Sequence, residues 1–278
     1  MTQPTQTTRY YTPQGGLPGQ EELLTDRAIV TEAYTVIPRG VLRDIVTSNL
    51  PGWEKTRLWV LARPIEGFAT TFAQYVVEVS PGGGADRGEI EQTVQSVVFV
   101  TEGTLTLTVE GAEHVLEPGG YAYLAAGDRW SLHNRSDAKA AFQWVRKVYE
   151  PIEGHQAKTF VTREQDIEPT PMPDTDGAWA TTRFVDPADL AHDMHVNIVT
   201  FAPGGSIPFA ETHIMEHGLY VLEGKAVYRL NGDWVEVQEG DFMWLRAFCP
   251  QACYAGGPKP FRYLLYKDVN RQVRLDRR

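Results

Sequence analysis

The chain has 278 residues, of which 42% are hydrophobic and 11% aromatic, enough apolar side chains for one large or two ordinary folded domains. Its formal charge of −10 and isoelectric point near 5.2 argue against nucleic acids and membranes as partners, because nucleic acids and anionic membranes bind basic surfaces. The N-terminus lacks a basic and apolar signal pattern, and no apolar run could span a bilayer, so we expect a cytoplasmic protein.

The elements predicted along the chain are almost all strands. Residues 1–22 are polar and rich in Gly and Pro, which predicts a flexible N-terminal arm. Short runs rich in Val, Tyr, Phe and Thr fill residues 23–153 and 179–278, a pattern typical of barrels or sandwiches. The Pro-rich segment 154–178 interrupts this rhythm and predicts an interdomain connection. The first strand-like run, residues 27–38, needs a sheet to join, and we assign it to the first domain.

An internal repeat relates the two halves at a constant shift of 121 residues. Subtracting 121 from Gly224 and Gly240 gives Gly103 and Gly119, so the framework glycines recur. Four polar side chains of the second half do not recur. Glu211, His213, His217 and Gln251 correspond to Ile90, Gln92, Ser96 and Trp130. The pattern predicts a duplicated β domain with one working site, in the C-terminal half.

The three ionisable members of that set have the donor types of a metal site. Glu211 and His213 point to the same face of a strand. On a straight strand His217 would lie about 13 Å from His213, whereas two donors about 2.1 Å from one ion are at most about 4 Å apart. The chain must therefore turn at residues 214–216, and Gln251 must arrive from another strand. Carboxylate and imidazole donors suit Mn²⁺, Fe²⁺, Zn²⁺ or Ni²⁺.

Simpler explanations exist for several of these residues. A lone HxxxH pattern is usually a pair of unrelated histidines or lies on one helix face, but the strand-like continuation GLYVLEGKAVY disfavours a helix. The remaining histidines have no ligand-spaced partner, and we interpret them as surface or satisfied core residues. They are His114, His133, His155, His192 and His195. Cys249 and Cys253 leave free thiols or a short-range disulfide open, with free thiols favoured in a chain without an export signal.

The motifs G-x5-E-T-H-x3-H-x6-G and G-x5-R-x-F-x2-Q resemble the two cupin motifs, with Glu and Gln replacing two of the usual histidines. A finer match covers residues 23–46, 201–205, 211–244 and 263–271. These stretches resemble the (S)-ureidoglycine aminohydrolases, manganese bicupins of allantoin catabolism. The resemblance implies an all-β bicupin of two tandem jelly-roll barrels, in which 23–153 is a degenerate, metal-free barrel and 179–278 the metal-binding one.

The resemblance also implies a chemistry for individual residues. One Mn²⁺ per chain is expected on Glu211, His213, His217 and Gln251, with Fe²⁺, Ni²⁺ or Zn²⁺ left open. Substrate contacts are expected from Tyr228, Tyr263, Lys267 and Gln251, and catalytic roles from Tyr263 and Lys267. Without the resemblance, the tyrosines would be interpreted as core residues and Lys267 as a solvated strand end. The expected reaction is hydrolysis of (S)-ureidoglycine to (S)-ureidoglycolate with release of ammonia.

Two other classes of function stay open at this point. A cupin with two histidines and a glutamate can hold Fe²⁺ and act as a dioxygenase, and a degenerate bicupin can be a non-catalytic small-molecule-binding protein. Retention of the full donor set in one half argues against the second alternative. The expected partners are a small ureide and further copies of the chain, because we expect a homo-oligomer that pairs its exposed strand edges.

Overall fold

The computed structural model describes residues 27–39, 50–65, 68–273 and 275, which form two antiparallel β-barrels with a shared core between them. The predicted all-β fold is confirmed. No helix in these ranges is long and apolar enough to cross a membrane. The predicted arm, residues 1–22, lies outside the described ranges.

The N-terminal barrel is a single sheet of nine strands. Its order is β11-β8-β5-β10-β4-β9-β6-β7, with β3 beside β4. The strands are β3 (Glu54–Ala62), β4 (Ala73–Ala85), β5 (Val94–Glu102), β6 (Leu105–Val109), β7 (Ala112–Leu116), β8 (Gly120–Leu124), β9 (Trp130–His133), β10 (Ala140–Val148) and β11 (Phe160–Arg163). A single 3₁₀ turn at Glu164–Asp166 follows β11.

The C-terminal barrel is built from two sheets that face each other. The larger has the order β1-β2-β19-β16-β21-β14-β13-β12, and the smaller has the order β15-β20-β17-β18. The strands are β1 (Ile29–Val30), β2 (Tyr34–Ile37), β12 (Thr170–Pro171), β13 (Trp179–Thr182), β14 (Met194–Phe201), β15 (Ser206–Glu211), β16 (His217–Glu223), β17 (Lys225–Leu230), β18 (Asp233–Gln238), β19 (Phe242–Leu245), β20 (Gln251–Tyr254) and β21 (Phe261–Asp268).

Strand β21 contributes to two cores at once, because its side chains alternate between the faces of the large sheet. Phe261 and Tyr263 lie inside the C-terminal barrel, whereas Leu264 and Tyr266 pack in the core between the barrels. There Tyr266 stacks on Phe72 of the N-terminal half with ring centroids 3.9 Å apart. Burying each such ring contributes about 1.5–3 kcal/mol. The outer face of the large sheet is therefore covered, and its inner face lines the candidate site.

The internal repeat is present in the backbone. Gly103 and Gly224 have φ angles of 71° and 76°, in the left-handed region that favours glycine. A Cβ atom at either position would collide with a carbonyl oxygen, that of Lys139 or that of Pro260, and these two residues are themselves 121 apart. Strands β9 and β20 also begin and end 121 residues apart. The predicted duplication is confirmed.

Two segments differ from the predicted domain bounds. Strand β2, which we assigned to the N-terminal domain 23–153, pairs with β19 of the C-terminal barrel, with Tyr34 opposite Leu245. Its Tyr34 hydroxyl donates to Asp233 Oδ2 at 2.6 Å. Strand β11, within the predicted connection 154–178, pairs with β8 of the N-terminal barrel. The error has a physical cause, because alternating hydrophobicity predicts a strand but not the sheet that it joins.

Candidate metal centre and substrate pocket

Three of the four predicted metal ligands meet where β15 and β20 pair. Glu211 ends β15 and lies opposite Gln251, which begins β20. Glu211 Oε1 is 3.3 Å from Gln251 Nε2 and 3.2 Å from His213 Nε2. Two donors held about 2.1 Å from one cation at a right angle are about 3 Å apart. The distance between Glu211 Oε1 and His213 Nε2 therefore fits two ligands that share a cation, whereas Gln251 contacts Glu211 through its amide nitrogen, which is a hydrogen-bond donor.

The fourth predicted ligand, His217, belongs to the opposite sheet. The chain bends at residues 214–215, where the sequence required a turn, and His217 begins β16. The His213 and His217 rings have their centroids 5.0 Å apart. His217 is 4% exposed, and its Nε2 atom has no hydrogen-bond partner among the described residues. Burial, followed by the nearby His213 and Lys267, lowers the pKa of His217 to about 3. The neutral imidazole that results is the form that binds metals.

These side chains contact each other directly, with Glu211 Oε1 close to both His213 and Gln251. In the described part of the chain, no group of three or more His, Cys, Asp or Glu side chains is arranged as a metal site. One of the four predicted ligands, Gln251, is an amide and does not belong to those residue types. One observation favours a ligand role for His217, because its buried Nε2 atom has no hydrogen-bond partner among the described residues and buried polar atoms usually have one. The donor set fits a divalent cation such as Mn²⁺.

Two buried tyrosines continue the chain of contacts into the barrel. The Tyr228 hydroxyl donates to Gln251 Oε1 at 3.2 Å and lies 3.4 Å from the Tyr263 hydroxyl. Tyr228 projects from β17 and Tyr263 from β21, so the contact joins the two sheets. Burial raises the pKa of both hydroxyls well above the ordinary value. At neutral pH both residues therefore keep their protons.

Lys267 lies on the inner face of the large sheet. In the strand register it is opposite His217 on β16 and opposite His195 on β14, so the three side chains form a row. Burial, followed by the positive charge of Arg183, lowers the pKa of Lys267. Within the described ranges neither Lys267 nor Arg183 forms an ion pair. Two neighbouring cations without a carboxylate partner suit an anionic ligand.

Three polar residues on or near this face were not predicted from the sequence. His195 was interpreted as a surface or satisfied core residue, but it is 3% exposed and its Nε2 atom has no partner among the described residues. Asn197, two positions along β14, is equally buried with an unpaired Oδ1 atom. Arg183, just after β13, lies close enough to lower the pKa of His195 and of Lys267. The alternation of MHVNIVTF could have placed His195 and Asn197 on one face.

The corresponding interior of the N-terminal barrel is filled by aromatic rings. Trp130, the counterpart of Gln251, packs edge-on against Trp144 with ring centroids 5.8 Å apart, and Trp144 Nε1 donates to Ser96 Oγ at 3.0 Å. Ile90, the counterpart of Glu211, is 61% exposed. Glu89, the residue before Ile90, has a carboxylate that the shift of 121 residues did not select.

That carboxylate is already neutralised. Glu89 accepts hydrogen bonds from Arg146 Nε at 2.6 Å and Arg146 Nη2 at 2.7 Å, and also from the backbone N–H groups of Ile90 and Glu91. Arg146 is the counterpart of Lys267 in the repeat. Both Cys249 and Cys253 of the second half are free and buried. Ser96 and Arg146, the counterparts of His217 and Lys267, are thus hydrogen-bonded within the N-terminal barrel, although unpaired buried polar atoms occur in both halves of the described chain.

Comparison with known proteins identifies relatives of this chain. A cupin domain model matches residues 75–146 and 197–266, which lie in the two barrels. The (S)-ureidoglycine aminohydrolase of Escherichia coli K12 is 30% identical over 259 residues, covering 92% of this chain and 96% of that protein. A probable (S)-ureidoglycine aminohydrolase of Oryza sativa subsp. japonica is 34% identical over 227 residues, covering 81% of this chain and 71% of that protein. A putative glyoxylate-induced protein from Pseudomonas aeruginosa has a crystal structure that matches with a TM-score of 0.89 at 61% identity, covering 98% of this chain and 100% of that one.

Proposed function

Because the chain belongs to the cupin family, and within it to the (S)-ureidoglycine aminohydrolases, we propose that it hydrolyses (S)-ureidoglycine to (S)-ureidoglycolate and ammonia. The observation that carries the proposal is the continuous chain of contacts inside one barrel. It runs from His213 through Glu211 and Gln251 to Tyr228 and Tyr263. These are the residues for which the family resemblance implies metal and substrate contacts.

We propose that the cation is one Mn²⁺ per chain, held by Glu211, His213, His217 and Gln251. One carboxylate and three neutral donors would leave a divalent ion with a net positive charge, which favours an anionic substrate. The ion, when bound, would supply a Lewis acid that holds and orients the anionic substrate. The main support is the unpaired Nε2 atom of the buried His217.

The protein side chains bind and orient the substrate. The Lys267 ammonium, which has no carboxylate partner in the described ranges, pairs with the substrate carboxylate. Tyr228 and Tyr263 keep their protons because burial raises their pKa, so they orient the substrate as hydrogen-bond donors. The C–N bond to the protonated amine breaks as the ureido nitrogen lone pair forms a C=N bond, and the amine leaves as ammonia. Water then adds to the carbon of this iminium and loses one proton, which the ammonia takes up, so the overall change is substrate plus water to ureidoglycolate plus ammonia.

The testing experiment measures ammonia release from freshly generated (S)-ureidoglycine. We expect turnover that EDTA abolishes and that added Mn²⁺ restores. The same assay under nitrogen separates hydrolysis from an Fe²⁺ dioxygenase, because only the dioxygenase requires O₂. Equal rates with and without O₂ support the proposal. Absence of ammonia release by the Mn²⁺-loaded protein would overturn it and favour a non-catalytic binding protein.

A further inference from the structure

Two buried side chains on β14 have polar atoms that the described residues leave unpaired. Asn197 and His195 are each 3% exposed, and Asn197 Oδ1 and His195 Nε2 have no hydrogen-bond partner there. A buried polar atom without a hydrogen bond destabilises a protein, so such atoms usually have a partner or a ligand. Two of them on one strand face, two residues apart, indicate a ligand.

The register places both side chains beside the proposed substrate contacts. His195 is opposite Lys267 and Asn197 is opposite Leu265 on β21, and the next position along β14, Val199, is opposite Tyr263. Directly opposed residues of antiparallel strands have Cβ atoms about 4.5–5.5 Å apart. Asn197 and His195 therefore line the same wall as Tyr263 and Lys267, one strand further from the candidate metal ligands.

In the N-terminal barrel, the two positions at the same strand register have side chains without an unpaired polar atom. Trp144 and Arg146, the counterparts of Leu265 and Lys267, are opposite Tyr75 and Ala73. The Tyr75 hydroxyl accepts from Arg146 at 3.2 Å, so its polar atom is satisfied within the barrel. In that barrel the two positions are therefore occupied by a hydrogen-bonded tyrosine and an alanine. The pair Asn and His occurs in the barrel that holds the candidate site.

We propose that Asn197 and His195 recognise the ureido group of the substrate and thereby set specificity for ureides. The substrate carboxylate pairs with Lys267. The ureido group can therefore bind the neutral acceptors on the same wall. Its terminal NH₂ group offers two N–H donors, which match Asn197 Oδ1 and His195 Nε2. Burial, followed by the nearby positive charges, lowers the pKa of His195 to about 4, so its imidazole is neutral and has an acceptor nitrogen. This inference rests on the proposed function, since it assigns the contacts of that substrate.

Binding of two stable analogues to the Mn²⁺-loaded protein tests the inference. Hydantoate carries a ureido group and a carboxylate, and N-acetylglycine replaces only its terminal NH₂ group with a methyl group. By calorimetry we expect the native protein to prefer hydantoate. In Asn197→Leu, which keeps the volume but removes the acceptor, we expect hydantoate affinity to fall by about 5- to 100-fold. N-acetylglycine affinity should change less than twofold.

Further variants separate recognition from loss of structure. His195→Phe should reduce the preference for hydantoate in the same way, with unchanged Mn²⁺ content. Thr35→Val is the matched control, because Thr35 Oγ1 is also buried and unpaired but belongs to β2 and lies away from this wall, so the preference should stay native. A preference for hydantoate that persists in folded, metal-loaded Asn197→Leu and His195→Phe would overturn the inference.

The outcome for the inference is distinguishable from the outcome for the reaction. Native protein that releases ammonia while both variants keep the hydantoate preference leaves the proposed function intact and removes the ureido assignment. Native protein that releases no ammonia, but whose preference for hydantoate disappears in both variants, removes the proposed function and keeps the assignment. No preference for hydantoate in the native protein would also overturn the assignment.

Discussion

Replacement of Lys267 by methionine should separate substrate binding from metal binding. The side chain is opposite His217 in the strand register but is not in the donor set, so Lys267→Met should keep its Mn²⁺. It loses the charge-assisted hydrogen bond to the substrate carboxylate, which typically contributes about 1.5–3 kcal/mol. At about 1.4 kcal/mol per factor of ten, kcat/KM should fall about 10- to 150-fold.

Gln251→Ala provides the contrasting variant. It removes the amide that contacts both Glu211 and Tyr228, so metal occupancy should fall and excess Mn²⁺ should restore part of the activity. The assay is ammonia release during a Mn²⁺ titration, with metal content measured by mass spectrometry. Added Mn²⁺ should not rescue Lys267→Met.

Lys225→Met is the matched control, because this lysine is exposed at the start of β17. The substitution should leave both activity and metal content unchanged. The reasoning is refuted if Lys267→Met loses its metal as readily as Gln251→Ala. Full activity of Lys267→Met would refute it equally, and Lys267 would then have no role in substrate binding.

Three further outcomes are expected. Native protein should contain one Mn²⁺ per chain by elemental analysis and the double variant His213→Ala, His217→Ala almost none; two ions per chain, or unchanged content in the variant, would contradict the assignment. Light scattering at micromolar concentration should give a homo-oligomer with closed symmetry, and a monomer would contradict this. Glu216→Gln should lower stability by about 1.5–3 kcal/mol, because this carboxylate accepts hydrogen bonds from the Thr70 and Thr71 N–H groups, from the Thr71 hydroxyl and from Trp244 Nε1. An unchanged thermal midpoint would show that the network does not stabilise the fold.

Local patterns predicted the β-fold and the duplication. Spacing required the turn at residues 214–215, because His217 could not otherwise approach His213, and the structure has that bend. The predicted ligands Glu211 and Gln251 are adjacent, as the argument from separate strands required. Glycine positions were predictable because a positive φ angle is a local property of the backbone.

Properties that depend on distant pairing were not predictable. The partner of β2 is fixed by which sheet has a free edge, and that information is absent from residues 34–37 themselves. His195 and Asn197 were missed because they have no ligand-like spacing. Their burial and unpaired atoms become visible only once β14 lies beside β21. Glu89 was missed because simple subtraction of 121 residues selected its neighbour Ile90.

The exchange of β2 and β11 makes the two halves of the gene product mutually dependent. The C-terminal barrel, which carries the candidate site, includes β2 from the start of the chain. The N-terminal barrel, which lacks the predicted ligands, includes β11, which follows its other strands in the chain. The segment just before His217 is also held by the other half, through Glu216 and Thr71. Either half expressed as a separate polypeptide would have an unpaired sheet edge and an exposed apolar face, which favours aggregation. Mutations that destabilise the N-terminal barrel should therefore also destabilise the barrel that carries the candidate site.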